Sequence, residues 1–135
     1  MAFPGGHITS TDDSARTAAE REATEEVGLN LSLCRYLGSL QEIQITQRGQ
    51  LLRSWLQPFV YLCSPDLPSL YPQASEVAEA MWIPITHLTT DSNRTSMLVE
   101  DGTRRLMFPG ILYDNKIIWG LTLRALESLI ETVFL

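Results

Sequence analysis

The sequence predicts an α+β fold, and three observations carry that reading. A helical pattern rich in alanine and glutamate lies near the N-terminus, strand-like runs fill the middle, and an amphipathic helix closes the chain. The 135 residues show no internal repeat and no linker. That length suits a single domain, residues 1–135, with a mixed sheet between the two helices.

Each element has its own signal. Phe3 to Gly6, "FPGG", is a breaker cluster that starts the chain in a loop. Thr11, Asp12 and Asp13 offer N-cap oxygens for a helix over Ser14 to Val27, and Gly28 is its expected left-handed stop. Ala19, Ala23 and Val27 recur at helical spacing, and their small size predicts close packing. Strand patterns follow over Cys34 to Thr46 and Leu52 to Cys63, with a hairpin turn at "QRGQ" between them. Pro58 cannot donate to a ladder, so it predicts an edge or bulge. A Pro/Ser-rich loop precedes "EVAEAMWIPI", read as another strand, and "THLTTDSN" reads as a short helical turn. "RRLMFPGILYDNKIIWG" predicts two strands turning at Asp114 and Asn115. In the last helix Leu121, Ala125, Leu126, Leu129, Ile130 and Val133 recur on one face.

Composition excludes several classes of partner. A net charge of −6 with one lysine, Lys116, is the wrong footprint for nucleic acid. No apolar run reaches the roughly 18–20 residues of a membrane span. Cys34 and Cys63 have no C-x-x-C spacing. They read as two thiols in a reducing compartment, which predicts an intracellular, cytoplasmic protein.

The chemistry concentrates in "AEREATEEVG", Ala19 to Gly28. Glu20, Glu22, Glu25 and Glu26 crowd the end of a helix where the macrodipole disfavours carboxylates. Arg21 is the one basic residue in that run, and Arg16 lies just before it. A cation from outside the segment is therefore expected. Glu22, Glu25 and Glu26 fall at i, i+3 and i+4, within about 100° of helical arc. Three carboxylates on one stripe make an all-oxygen donor set of the kind Mg²⁺ or Mn²⁺ takes.

The stretch "GGHITSTDDSARTAAEREATEEVGL" resembles the Nudix box, G-x5-E-x7-R-E-U-x-E-E-x-G-U with U aliphatic. Arg21, Glu22, Ala23, Glu25, Glu26, Gly28 and Leu29 fall in place. Counting from Gly6, the early acidic position holds Asp12, and eight residues rather than seven then precede Arg21. That lengthening resembles the coenzyme A diphosphatase branch, whose boxes read like "PGGKxDPxD…ALREAxEE". His7 and Glu20 depart from that pattern, which has Lys and an apolar residue there. "SEVAEAMWIPITHL" resembles the Glu-rich strand and apolar-Pro-apolar step that Nudix proteins place after the box, and "FPGILYDNKIIWGLTLRALESL" resembles the closing segment of the coenzyme A branch. Family members carry further strands before the box, so the chain reads as N-terminally truncated. An exposed sheet edge would follow, open to pairing in a homodimer.

The resemblance implies a Nudix-type α/β/α sandwich and metal-dependent hydrolysis of a pyrophosphate bond in coenzyme A or its acyl derivatives. It implies Glu25 and Glu26 as main metal ligands, Glu22 as ligand or base, and Arg21 as the group orienting the carboxylates. Gly5 and Gly6 would let backbone approach the substrate, and Glu76 would be a further ligand or base. Arg35, Arg48 and Arg53 are candidate phosphate contacts, and His7 and His87 are read as structural. Two alternatives stand beside this one: hydrolysis of ADP-ribose or another nucleoside diphosphate linked to X, and a catalytically inactive binding module.

Overall fold

Ser14 starts the first helix, α1 (Ala15–Val27), because its extended backbone lets its hydroxyl accept from the Thr17 N–H. Thr11, Asp12 and Asp13 lie upstream of that cap, and Asp12 is engaged elsewhere, as described below. Gly28 ends the helix at φ 69°, a left-handed conformation that costs glycine nothing. Its N–H reaches Thr24 O at 3.0 Å and the Leu29 N–H reaches Ala23 O at 3.2 Å. Two more carbonyls of the last turn are met from a distant segment: Tyr71 N–H donates to Val27 O, and Gln73 N–H to Glu26 O, each at 2.8 Å.

The computed structural model describes residues 1–47 and 50–135, so the expected turn at Arg48 and Gly49 lies outside the described residues. The chain divides into two compact units. One comprises Phe3–Gln41 and Gln57–Trp82. It contains α1, a single 3₁₀ turn over Leu31–Leu33, and the antiparallel ribbon of β1 (Arg35–Ser39) and β4 (Phe59–Leu62). Its core is small: Ala23, Val27 and Leu29, with Leu31, Leu70, Val77 and Ala80 packed around them.

The other unit comprises Met1–Ala2, Glu42–Leu56 and Ile83–Leu135. β2 (Ile43–Gln47) and β3 (Gln50–Leu56) form one antiparallel pair; β5 (Arg94–Asp101), β6 (Arg104–Tyr113) and β7 (Lys116–Trp119) form an antiparallel sheet in that order. The short helix α2 (Ile85–Leu88) and the closing helix α3 (Gly120–Phe134) complete it. Leu88, Ile111, Ile118, Leu123 and Leu126 make its core. Each such side chain contributes about 1.5–3 kcal/mol on full burial.

The α+β class holds, with corrections in detail. The described strands form three antiparallel sheets instead of one mixed sheet. Both long strand patterns break in two. Pro58, with no N–H, falls where the chain leaves β3 and begins β4, so the two halves pair with different partners. The "EVAEAMWIPI" segment is not a strand. Glutamate and alanine are weak strand formers, and Glu76 and Val77 close turns onto Gln73 O instead. β5 went unforeseen, although its burial alternates residue by residue. In α3 the buried residues are Leu123, Ala125 and Leu126, whereas Val133 is 58% exposed near the chain end. The turn at Asp114 and Asn115 is as expected, both at positive φ.

The reading of two free thiols is also overturned: Cys34 and Cys63 form a disulfide. Strand register explains it. Tyr36 pairs with Tyr61 and Arg35 with Leu62, which brings Cys34 opposite Cys63 with their Cα atoms 4.6 Å apart. Spacing along the chain cannot show this, because 29 residues separate the two.

Candidate functional site

The site is built on the loop before α1 and on two faces of the helix itself. Asp12 closes the loop on itself, its Oδ2 accepting from the Thr9 N–H at 2.8 Å and the Thr9 hydroxyl at 2.9 Å. The same carboxylate receives Arg21 in a two-pronged bond, Nε to Oδ1 at 3.0 Å and Nη2 to Oδ2 at 3.1 Å. Arg21 above all, then the Thr9 N–H, hold the Asp12 carboxyl well below the usual carboxylate range. The guanidinium is pushed up in turn, with Asp12 as the main cause.

Arg21 has further donors to spend. Its Nη1 donates to Glu22 Oε1 and to Glu25 Oε2, both at 3.0 Å, and Nη2 to His7 O at 3.3 Å. One cation therefore serves three carboxylates and a loop carbonyl. Glu20 is met by Arg16, whose Nε lies 2.9 Å from its Oε1. Much of the crowding evident in the sequence is thus relieved inside the chain, by the two arginines.

Glu26 is the exception. Among the described residues no arginine or lysine pairs with it; it accepts a bond of 3.3 Å from the Gly5 N–H. Burial, then the nearby Glu22 and Glu76 charges, push its carboxyl above the ordinary value. Glu22 is near enough for its charge to act on Glu26. Gly6 stands directly against Glu22: a Cβ there would sit 2.5 Å from Glu22 Oε1. A Cβ on Gly5 would meet nothing within 4 Å, so Gly5 contributes its N–H, whatever its side chain.

Glu22, Glu26 and the more exposed Glu76 are therefore brought together, while Glu25, 54% exposed, is turned to Arg21. Among the described residues no three His, Cys, Asp or Glu side chains are arranged to hold a metal ion. Two adjacent carboxylates still suit a hard cation such as Mg²⁺, which takes one or two carboxylates and completes its shell with water and substrate phosphates. The raised Glu26 carboxyl, without a positive partner among the described residues, is what such an ion would relieve. Glu22 and Glu26 are the pair of carboxylates the chain offers to such an ion.

Other candidates lie elsewhere. Arg35 and Arg53 are exposed on β1 and β3, and Arg48 is outside the described residues. His7 lends only its carbonyl to this cluster. His87 is structural, its Nε2 2.7 Å from Leu112 O and its ring edge-on to Tyr113. No motif in the sequence marks Tyr36 and Tyr61, which contact Arg16 from the ribbon. Their distance along the chain hides them; the i, i+4 pairing of Arg16 with Glu20 was the one local hint.

Among the described residues no helix is long and apolar enough to cross a membrane. Comparison with known proteins places the constellation in context. The Schizosaccharomyces pombe protein C14C4.10c, itself uncharacterized, is 38% identical over 109 residues, 78% of this chain and 32% of that protein. The Nudix hydrolases NudL of Yersinia pestis (strain Pestoides F) and Yersinia pseudotuberculosis (serotype O:1b), also uncharacterized, are 30% identical over 134 residues, 98% of this chain and 64% of theirs. The chain thus spans about one third to two thirds of the length of these relatives. The family model for the NUDIX domain matches residues 1–100, taking in the loop, Arg21 and every acid of α1. With its carboxylate helix stopped at Gly28 and its arginine set among the acids, the chain belongs to the Nudix domain family.

Proposed function

We propose that the chain hydrolyses the pyrophosphate bond of a nucleoside diphosphate linked to a further group. We take the substrate to be coenzyme A or its acyl derivatives, giving phosphopantetheine and adenosine 3′,5′-bisphosphate. The observation that carries the reaction class is the apposition of Glu22 and Glu26 against Gly5 and Gly6, with Arg21 anchoring the same helix face. Coenzyme A is favoured by the lengthened box with Asp12 and by "IWGLT" at the start of α3. The family match crosses both compact units, which supports reading residues 1–135 as one domain.

Mg²⁺ or Mn²⁺, held by Glu22 and Glu26, with Glu25 joining as the third ligand once it leaves Arg21, would neutralise phosphoryl oxygens and lower the pKa of a bound water. The chain's own groups do the rest. Arg21 holds Glu22 and Glu25 by charge-assisted bonds, and Asp12 holds Arg21 to the loop. Glu22 serves as ligand or as the base that takes the proton of the attacking water, with Glu76 a further ligand or base. Gly6 keeps the space beside Glu22 clear of a side chain. Positioning and charge, more than covalent chemistry, carry phosphoryl displacement. A cytoplasmic site of action, expected from free thiols, loses that support with the Cys34–Cys63 bond.

The test is product analysis after incubation with Mn²⁺ and, in parallel, coenzyme A, an acyl form and ADP-ribose. Cleavage of coenzyme A into the two named products, faster than of ADP-ribose, is expected. Preference for ADP-ribose would replace the substrate. No turnover on any of them, with no Mn²⁺ binding by calorimetry, would leave an inactive binding module.

A further inference from the structure

Glu20 is the one acid of the Ala19 to Gly28 run to which the proposed reaction gives nothing to do. The structure shows where it goes. Its Oε1 accepts from the Tyr61 hydroxyl at 2.5 Å and from Arg16 Nε at 2.9 Å. Arg16 Nε also donates to the Tyr61 oxygen at 3.1 Å, and its guanidinium carbon lies 3.6 Å from the centre of the Tyr36 ring. Tyr36 and Tyr61 are cross-strand partners on β1 and β4, with ring centres 5.2 Å apart. Two residues further along, the Cys34–Cys63 bond pins the same ribbon covalently.

These contacts meet a particular need. α1 buries just Ala18, Ala23 and Val27, and side chains that small give packing little grip on the roll of a helix. Arg16 and Glu20 are 45% and 36% exposed, so as an ion pair they add little stability. Their value is directional. Two polar bonds to Tyr61 and a guanidinium stacked on Tyr36, braced by the Arg16–Glu20 bond within the helix, permit one orientation of the helix against the ribbon. Glu26 lies roughly 120° around the helix from Glu20, so a rotation released at the clamp carries the acid face with it.

We propose that Arg16 and Tyr61 are positioning residues which, with Glu20 and Tyr36, fix the roll of α1 and so hold Glu22 and Glu26 toward Gly5 and Gly6. The metal-binding consequence rests on the function proposed above; the positioning itself does not. Tyr61→Phe removes the hydroxyl and keeps the ring, while Arg16→Lys keeps the charge and removes the planar fork. The readouts are the Gly5 and Gly6 amide resonances of the metal-free protein, Mn²⁺ affinity by calorimetry, and the melting temperature. Both variants are expected to fold, to move both resonances and to weaken Mn²⁺ binding by roughly tenfold, as loss of an outer-shell partner does. A lower melting temperature with unmoved resonances and unchanged affinity would overturn the proposal, as would failure of both variants to fold. If one variant fails to fold, the other decides. Should the parent protein bind no Mn²⁺ while Tyr61→Phe still moves the resonances, the metal reading falls and the positioning stands. If neither occurs, both fall.

Discussion

α1 and α3 are helices of similar length held by opposite means. α3 is fastened by volume: Leu123 and Leu126 are 2% and 3% exposed and pack with Ile111, Ile118 and Leu88. α1 has two alanines and a valine for the same purpose, and its other faces carry charge. Its attachments are directional, from Arg16 to the ribbon and from Arg21 to the Asp12 loop. A helix whose surface is given over to chemistry cannot also present large apolar side chains, so hydrogen-bond geometry must do what packing does in α3. The contrast predicts that α1 is easily broken in function and α3 in stability.

The widest separation comes from Glu26→Gln set beside Leu126→Ala. Glu26→Gln is expected to lower kcat/KM by more than about 100-fold, beyond the usual cost of an outer-shell partner. Its melting temperature is expected to hold or rise, because a partly buried charge repelled by Glu22 and Glu76 has been removed. Leu126→Ala is expected to cost about 2–5 kcal/mol of stability through the cavity it leaves. Its turnover per folded molecule should stay near that of the parent. Denaturant melts and rates measured on the same samples check both; equal losses in both quantities for both variants would dissolve the distinction.

A smaller effect separates the helices by pH. The Asp12 carboxyl is depressed in the folded chain, chiefly by Arg21, so the unfolded chain binds its proton more readily. Its contribution to stability is therefore complete above the unfolded value of about 3.9, and drains away as pH falls from there toward the lower folded value. Asp12→Asn should flatten that acid limb in stability measured against pH and leave the neutral region nearly level in slope. An unchanged acid limb would mean that the Arg21 bond does not persist in solution.

The same contrast governs what sequence could foresee. α3 and the limits of α1 are written locally: periodic leucines, and Gly28 as the helix stop. The box acids were legible too, since Arg21, Glu22, Glu25 and Glu26 stand at fixed spacing. Relations between distant segments were not. Nothing near Glu20 announces Tyr61, 41 residues away, and nothing near Cys34 announces Cys63; both pairings come from the register of β1 on β4. The expectation of an external cation for all four acids overlooked how many bonds one guanidinium makes. Arg21 meets Glu22, Glu25 and Asp12 together, which narrows the unrelieved charge to Glu26.

The smallest expected effect is the most local, and it compares neighbouring residues within the site. Sequence alone treats Gly5 and Gly6 alike, as room for backbone beside a substrate. The structure divides them. A methyl on Gly6 would lie 2.5 Å from Glu22 Oε1 and 2.6 Å from its carboxyl carbon, so the carboxylate has to turn away, loosening its bond to Arg21 as it does. A methyl on Gly5 would enter open space and leave its N–H free to reach Glu26. Gly6→Ala is therefore expected to lower turnover by about tenfold, the scale of a displaced supporting contact, while Gly5→Ala stays within about twofold of the parent. Steady-state rates at matched Mn²⁺ concentrations measure the difference. Equal losses at both positions would show that conformational freedom of the loop matters there, and that the close approach of Gly6 to Glu22 does not.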